Sequence, residues 1–173
     1  EMVGVTGTNG KSTVTQLLAQ ATTKLGQPCA VIGTLGVGFF GDLQESTHTT
    51  PDPIAVQAGL AKLKAQGARA VAMEVSSHAL DQGRVTAVEF DVAVFTNLTR
   101  DHLDYHGDMQ SYAAAKAQLF HWRSLQAAVI NQDDALGRQL LAEVKTAKCY
   151  SYSCEDPSAT VFAKNVRFSH LGI

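Results

Sequence analysis

The sequence predicts an α/β fold in which helices flank a mostly parallel sheet. Short runs rich in β-branched residues alternate with longer segments whose apolar residues recur three and four positions apart. Gly26 and Gly67 follow two of the longer segments, at the position where glycine often ends a helix. The sequence contains no repeat, low-complexity tract or linker, so we expect residues 1–173 to form one domain.

Each element is predicted from its own local pattern. The apolar runs predict strands at residues 3–6, 30–33, 70–75, 91–96 and 127–131. Helical spacing predicts helices at residues 11–25, 53–66, 111–122 and 134–144, and the Asp133 carboxylate is placed to cap the last of these. After Lys148, the alternating segments 149–153 and 160–168 predict β structure at the edge of the sheet, and residues 170–173 stop in the middle of a pattern.

Composition and charge exclude several classes of protein. The sequence is 45% hydrophobic and 17% charged, which allows a sizeable core, and its formal net charge of −2 gives no basic excess for a nucleic-acid backbone. No apolar run reaches the length of about 18 residues that a membrane span needs, and the N-terminus lacks a signal pattern. Cys29, Cys149 and Cys154 lack the CxxC spacing of zinc or redox sites. We therefore expect a cytoplasmic protein with reduced thiols that binds neither nucleic acid nor membranes.

The strongest local signal is the phosphate loop, GTNGKST at residues 7–13, between the first predicted strand and the first predicted helix. Its glycines let successive N–H groups converge on an anion, and the helix N-terminus adds partial positive charge. Lys11 would contact the β- and γ-phosphates of a nucleotide, and the hydroxyl of Ser12 or Thr13 would ligate Mg²⁺. The general pattern GxxxxGK[ST] is not fully met, because Val5 occupies the position of its first glycine. The alternative is a glycine turn followed by an incidental surface lysine.

Polar residues also follow two later strands. Glu74 lies at the end of the apolar run 70–75, and the loop NLTRDHLDYHG at residues 97–107 follows the run 91–96. Ligands of open α/β sheets bind beyond the carboxyl ends of the strands, so Glu74 is placed to meet the Mg²⁺ of a nucleotide; a salt-bridged surface glutamate is the alternative. His102 could be a metal ligand or a hydrogen-bonded loop histidine. Lys116 lies among alanines on the next helix, where composition alone favours an ordinary solvent-directed lysine.

Taken together, these segments resemble the central domain of the Mur ligases. The resemblance rests on the phosphate loop, TTPD at residues 49–52, EVSSHAL at 74–80, QGR at 82–84, NLTRDHLDYHG at 97–107 and YAAAKAQLF at 112–120. It covers residues 3–134 well and the remainder loosely, and EVSSHAL and DHLDYHGDM are typical of the members that add the third amino acid. It implies a P-loop type central domain, incomplete on its C-terminal side and without the family's N-terminal UDP-binding and C-terminal amino-acid-binding domains.

The resemblance also implies roles for individual residues. The ATP-binding residues would be Gly7, Thr8, Asn9, Gly10, Lys11, Ser12 and Thr13. Mg²⁺ would be held by Ser12, Glu74, His102 and Lys116, with Lys116 carbamylated, because an ammonium group cannot ligate a cation whereas a carbamate can. The substrate contacts would be His48, Thr49, Thr50, Ser76, Gln82 and Arg84, with His48 standing where some relatives have asparagine. Catalysis would depend on Lys11, Glu74, His102 and Lys116.

The activity implied by the resemblance is ATP-dependent ligation. ATP would phosphorylate the D-glutamyl carboxylate of UDP-N-acetylmuramoyl-L-alanyl-D-glutamate, and a diamino acid, meso-diaminopimelate in preference to L-lysine, would displace phosphate from the acyl phosphate. We expect a monomer whose partners are these small molecules, and an isolated chain that is inactive. The alternatives are another ligase of the superfamily, such as a folylpolyglutamate synthetase, and an ATP-hydrolysing switch module that would not need His102, Lys116 or Arg84.

Overall fold

The computed structural model describes residues 1–46, 48–145 and 148–167, which form a nine-stranded sheet with helices packed against it. The helices are α1 (Lys11–Lys24), α2 (Pro53–Ala65), α3 (Ser77–Asp81), α4 (Leu103–His106), α5 (Met109–Ala117) and α6 (Ala135–Glu143), and a 3-10 turn, Gln118–His121, follows α5. The strands are β1 (Met2–Thr6), β2 (Cys29–Gly33), β3 (Gly36–Phe39), β4 (Asp42–Gln44), β5 (Ala70–Glu74), β6 (Val92–Phe95), β7 (Ala127–Asn131), β8 (Lys148–Ser153) and β9 (Val161–Phe162).

The strand order places β1 at the middle of the sheet. The order is β4-β3-β2-β5-β1-β6-β7-β8-β9. The seven strands from β2 to β9 in this spatial order, β2-β5-β1-β6-β7-β8-β9, pair in parallel. At the other edge, β3 and β4 form a hairpin, and β3 pairs antiparallel with β2. The chain leaves β1 toward β2 on one side and later reaches β6 on the other. Ligands of open α/β sheets bind at such a switch point, beyond the carboxyl ends of the strands.

The two faces of the sheet pack against different helices, because successive side chains of a strand point in opposite directions. On one face, α1 contributes to a small apolar cluster made of Ala19, Cys29, Val31, Ala70 and Ala72. On the other face, Ile32 and Met73 of the same strands belong to a larger cluster that includes Val56 of α2 and Leu140 of α6. Helices therefore cover both faces, as in doubly wound sheets.

The structure confirms the predicted fold class and most of the predicted elements. Gly26 and Gly67 follow α1 and α2 with φ of +83° and +96°, a conformation that glycine adopts without strain. The helix predicted at 111–122 begins earlier, at Met109, and tightens into the 3-10 turn after Ala117. β8 and β9 extend one edge of the sheet, as the alternating segments predict. Phe168 of the predicted segment 160–168, and residues 170–173, lie outside the described residues.

One capping prediction is wrong, because the cap of α6 comes from Asp134 and not from Asp133. Asp134 Oδ1 accepts hydrogen bonds from the N–H groups of Leu136 at 2.8 Å and Gly137 at 3.4 Å. The Asp133 carboxylate instead accepts from Ser153 Oγ and from the Cys154 N–H, the latter at 2.8 Å. It therefore joins the end of β7 to the end of β8.

Two expectations from composition bear on the described residues. Within them, no helix combines the length and the apolar character needed to cross a membrane. Among the described residues, Cys29, Cys149 and Cys154 form no disulfide, and Cys29 is buried. The cysteines therefore contribute no disulfide to this part of the chain.

Candidate active site

The carboxyl ends of β1, β5 and β6 form one rim of the sheet, and the predicted site residues come from the elements that leave it. Val5 of β1 pairs with Glu74 of β5 on one side and with Val94 of β6 on the other. The phosphate loop leaves β1 between these two strands. The loop that carries His102 follows β6, and α5, which carries Lys116, comes after it.

The phosphate loop is fixed by residues at the end of β6. The Thr8 N–H donates to the Asn97 carbonyl at 2.8 Å, and the Asn9 N–H donates to Asn97 Oδ1 at 3.0 Å. Thr96 Oγ donates to the Asn9 carbonyl at 2.7 Å. Gly7 has φ of +146°, and a Cβ at this position would collide with Thr96 Oγ. The loop therefore has a defined shape that requires glycine at position 7.

The N-terminus of α1 is suited to an anion. Its N-cap is Gly10 with φ of +86°; within the described part of the chain no side chain caps this end, and its first turn carries no acidic residue. The Lys11 ammonium group donates to the carbonyls of Gly7 and Thr8, at 2.9 Å each. Burial lowers the pKa of Lys11, while the charge of Glu74 opposes that shift. The N-terminus of α1 and the Lys11 ammonium group thus both place positive charge at the phosphate loop.

Lys116 is buried beneath the phosphate loop. Only 1% of its surface is exposed, and its Nζ donates to the Gly7 carbonyl at 2.9 Å. The expectation of a solvent-directed lysine, drawn from composition alone, is therefore wrong. Burial, reinforced by the nearby charge of Lys11, lowers the pKa of Lys116 to about 7, although Asp101 opposes the shift. A large fraction of this amine is therefore neutral at neutral pH.

Glu74 is a buried carboxylate at the end of β5, with 1% of its surface exposed. Its Oε1 accepts from the Thr34 N–H at 2.9 Å, and its Oε2 accepts from the Thr34 hydroxyl at 3.1 Å. Gly33, on the neighbouring strand β2, leaves room for it, because a Cβ there would collide with the carboxylate. The surface salt bridge considered as an alternative is thus wrong, and the buried carboxylate is stabilised by two donors from one residue.

His102 lies in a cluster of histidine and tyrosine rings above the rim. Its backbone has φ of +52°, which is rare for a residue with a side chain, and its ring is 45% exposed. The ring lies edge-on to His78 at 4.9 Å and to Tyr112 at 5.9 Å between centroids. His102 Nε2 lies 3.6 Å from a carboxylate oxygen of Asp101. This position leaves the imidazole accessible from outside the protein.

Five of the six predicted substrate contacts belong to one hydrogen-bonded network next to Glu74. Thr49 Oγ lies 3.0 Å from the Thr34 hydroxyl, and Thr50 Oγ donates to the Glu74 carbonyl at 2.8 Å. The Ser76 N–H donates back to Thr50 Oγ at 3.0 Å.

Arg84 extends the network away from the rim. Its Nη1 donates to the Thr50 carbonyl at 2.9 Å, and its Nε donates to Gln82 Oε1 at 2.8 Å. These contacts hold the guanidinium group in place before any ligand binds to it. The sixth predicted contact, His48, is exposed, and its carbonyl accepts from Ser46 Oγ at 2.8 Å.

The predicted ligands would suit Mg²⁺ only if Lys116 carries a carbamate. Among the residues that the structure describes, no three His, Cys, Asp or Glu side chains are grouped so that they could hold a metal ion. The predicted set offers one carboxylate, one imidazole and the Ser12 hydroxyl, and Lys116 as an amine adds no anionic oxygen. A carbamate on Lys116 would add that oxygen. Thr6 Oγ, at the end of β1, is buried without a hydrogen-bond partner in the described part of the chain.

The structure adds two residues to the site that sequence analysis missed. Thr34 provides both hydrogen bonds to the Glu74 carboxylate, and no motif or spacing in the sequence marks it. Tyr112 is fully buried, and its hydroxyl lies 3.2 Å from Thr8 Oγ. It precedes Lys116 by four positions and so shares a face of α5 with it. That spacing was a signal that could have identified Tyr112.

Comparison with known proteins gives the family. Residues 5–173 match the family model of the Mur ligase middle domain. The chain is 60% identical over 173 residues to the UDP-N-acetylmuramoyl-L-alanyl-D-glutamate–2,6-diaminopimelate ligase of Pseudomonas aeruginosa. The aligned region covers 100% of this chain and 36% of that protein. The equally named ligase of Xanthomonas campestris is 59% identical over 174 residues, with 99% of this chain and 35% of that protein covered. The chain thus spans about a third of the length of these relatives.

Solved structures agree with this assignment. The structure of a UDP-N-acetylmuramoyl-L-alanyl-D-glutamate–2,6-diaminopimelate ligase has a TM-score of 0.92 at 39% identity, over 99% of this chain and 36% of that one. MurF from Acinetobacter baumannii has a TM-score of 0.72 at 21% identity, over 97% of this chain and 33% of that one, a likeness that shows the fold alone. Because the family match takes in nearly the whole chain, the chain belongs to the Mur ligase family, in which it is a middle domain.

Proposed function

We propose that this chain is the ATP-binding domain of a ligase that joins meso-diaminopimelate to the D-glutamyl carboxylate of UDP-N-acetylmuramoyl-L-alanyl-D-glutamate. The observation that carries the proposal is that Lys11 and Lys116 converge on one atom. The Nζ of each donates to the Gly7 carbonyl oxygen at 2.9 Å, so the two nitrogens are neighbours. Lys11 can meet phosphate as a cation, while Lys116 beside it, with a pKa of about 7, can become a carbamate that holds Mg²⁺, and a nucleotide–Mg²⁺ site needs both. The names of the 60%-identical relatives support the choice of substrates. In this proposal the remaining two thirds of the complete protein bind the uridine end and the incoming amino acid.

Transfer of phosphate to a carboxylate brings two anions together, so most of the protein's work is to neutralise and align charge. The N–H groups of the phosphate loop and the N-terminus of α1 would hold the β- and γ-phosphates. Lys11 would exchange its two carbonyl contacts for phosphate oxygens as charge develops there. The acceptor carboxylate then attacks the γ-phosphorus, ADP leaves, and the amine of the diamino acid displaces phosphate from the acyl carbon.

Ser12, Glu74, His102 and carbamylated Lys116 would hold Mg²⁺, which when bound supplies positive charge to the phosphate oxygens. The neutral amine of Lys116 adds to CO₂ with formation of a C–N bond and release of one proton, which leaves a carbamate anion. The depressed pKa of Lys116 favours this addition, because only the neutral amine reacts. Thr34 would keep the Glu74 carboxylate oriented toward the rim.

The network next to Glu74 would orient the acceptor. Arg84 can bind a carboxylate through two parallel hydrogen bonds, and its contacts to Thr50 and Gln82 fix the plane of the guanidinium group. The hydroxyls of Thr49 and Ser76 and the His48 side chain would contact the remaining polar groups of the muramoyl-dipeptide. This arrangement would place the substrate beside the rim with its terminal carboxylate toward the phosphate loop.

The test is phosphate release by the complete protein carrying this chain, with ATP, Mg²⁺ and a panel of acceptors and amino acids. We expect release to require both UDP-N-acetylmuramoyl-L-alanyl-D-glutamate and meso-diaminopimelate, and Lys11→Ala to lower kcat/KM on the order of 100-fold or more. Lys24→Ala is the matched control, since Lys24 is an exposed lysine of the same helix and should leave the rate unchanged. Phosphate release that depends on L-lysine, on a folate acceptor or on no acceptor would contradict the proposal.

A further inference from the structure

Tyr112 connects parts of the site that are far apart in sequence. It is the largest of the fully buried side chains in the described residues. Its hydroxyl lies 3.2 Å from Thr8 Oγ in the phosphate loop, and Lys116 Nζ lies 4.4 Å from the centre of its ring. The ring also lies edge-on to His102, with 5.9 Å between centroids. One side chain thus contacts the loop, the buried lysine and the exposed histidine.

Building on the proposed function, we propose that Tyr112 is a positioning residue that holds the phosphate loop and Lys116 in a fixed relation to each other. Its hydroxyl would orient the loop through Thr8, and its ring would keep the Lys116 side chain directed at Gly7. These two effects belong to different atoms of one residue, so they can be separated by substitution.

The hydroxyl acts on a side chain that has few other contacts. Thr8 Oγ accepts from the Thr99 N–H at 3.0 Å and lies 3.3 Å from the Thr99 carbonyl, to which it can donate its single proton. The Tyr112 hydroxyl can then donate to the remaining lone pair of Thr8 Oγ. Thr99 belongs to an exposed loop, whereas Tyr112 is anchored in the core. The tyrosine therefore ties the phosphate loop to a rigid element.

The ring acts on the direction of the Lys116 side chain. Tyr112 and Lys116 are one turn apart on the same face of α5, and the tyrosine ring contacts both Lys116 Nζ and the rings of His102 and His106. A lysine side chain has several rotatable bonds and reaches solvent wherever space allows. A flat, fully buried ring beside it removes that space and leaves the Gly7 carbonyl as the partner of Nζ.

The first test separates the hydroxyl from the ring in the complete protein. We expect Tyr112→Phe to raise the KM for ATP on the order of fivefold, as for the loss of one neutral hydrogen bond, with little change in kcat. Thr8→Val should raise the KM further, because it also loses the Thr99 contacts. The double variant Thr8→Val/Tyr112→Phe should match Thr8→Val alone, since both changes remove the same bond. Additive effects, or an unchanged KM in Tyr112→Phe, would overturn the role of the hydroxyl.

The second test follows the carbamate by ¹³C NMR after addition of ¹³C-bicarbonate, with Lys116→Met used to assign the signal. We expect Tyr112→Phe to keep the signal and Tyr112→Leu to lose most of it together with kcat. Phe120→Leu is the control, because Phe120 is an equally buried aromatic residue that packs on Phe95 instead; it should lower thermal stability and keep the signal. A Tyr112→Leu variant with the signal and kcat of the unsubstituted protein would overturn the role of the ring.

The same measurements separate this inference from the proposed function. If the unsubstituted protein ligates its substrates and shows the carbamate, and Tyr112→Leu does the same, only the inference about Tyr112 is wrong. If the unsubstituted protein shows neither ligation nor a carbamate, the proposed function is wrong, and the role of Tyr112 is contradicted with it.

Discussion

The amine of Lys116 lies beneath the phosphate loop with 1% of the residue exposed and with a pKa of about 7. Burial alone would make this lysine a poor cation, and the nearby Lys11 ammonium makes it poorer still. The same environment makes it a good nucleophile toward CO₂, because the neutral amine is the reactive form. The structure thus gives a physical reason why this lysine, rather than an exposed one, would carry a carbamate.

The rate of carbamylation should therefore depend on pH in a defined direction. Below pH 7 the ammonium form of Lys116 predominates and cannot add CO₂, whereas above it the neutral amine predominates. We expect the rate at which the ¹³C carbamate signal appears, measured at constant dissolved CO₂ without nucleotide, to rise with pH and to level off above about 7, because only the neutral amine adds to CO₂. An exposed lysine, with a pKa near 10.4, would give a rise about three units higher. A midpoint near that higher value would contradict the buried amine.

Local sequence patterns predicted only some of the residues of the candidate site. Lys11 and Glu74 follow from the phosphate loop and from the end of an apolar strand, which are local patterns. The burial of Lys116 does not follow from its sequence context, because a lysine among alanines is equally typical of an exposed helix. Thr34 is recognisable only through its contacts with Glu74, which lies 40 positions away along the chain.

At the scale of elements, the N-terminus of α6 is linked to the loop that carries His102. Asp134 caps α6 with Oδ1, and its Oδ2 accepts from the Leu98 N–H at 2.8 Å. Leu98 is the second residue of the loop that carries His102. One carboxylate thus serves both a helix end and a loop of the candidate site.

We expect Asp134→Ala to lower the local stability of α6 by about 1–2 kcal/mol, because a helix cap and a second hydrogen bond are lost together. Amide hydrogen exchange of α6 in the complete protein measures this change. Asp134→Asn keeps the capping oxygen but replaces the oxygen that accepts from Leu98, so it should cost less. Gln139→Ala, at an exposed position of α6, is the control. Equal protection in Asp134→Ala and in Gln139→Ala would contradict the proposed cap.

The elements that periodicity predicted are the long ones, and the elements it missed are short or rich in glycine. β3 contains Gly36 and Gly38 with φ of +130° and +151°, and a Cβ at either would collide with the backbone of β4. Such a hairpin depends on close approach of two backbones, which leaves no alternating apolar pattern to detect. The Asp133 prediction was wrong for a related reason, because two adjacent aspartates offer the same capping chemistry and only tertiary contacts decide between them.

At the scale of the whole molecule, the sheet brings together groups that are distant in the chain. Lys116 Nζ bonds to a carbonyl 109 positions earlier, at Gly7. This contact requires β6 to lie beside β1, and the strand order depends on long-range pairing that local patterns do not specify. The alternation of strands and helices predicted the fold class, whereas the position of the rim residues relative to one another came from the resemblance to the Mur ligases and then from the structure.

The central claim is that this rim lets ATP phosphorylate a carboxylate, and oxygen transfer measures that step directly. The complete protein would be supplied with UDP-N-acetylmuramoyl-L-alanyl-D-glutamate in which all oxygens of the D-glutamyl carboxylates are ¹⁸O, together with ATP, Mg²⁺ and meso-diaminopimelate. The account predicts that each released phosphate contains one ¹⁸O from the acceptor, because the acyl phosphate breaks at its carbon–oxygen bond. Released phosphate without ¹⁸O would show that ATP is hydrolysed by water at this site and would contradict the account.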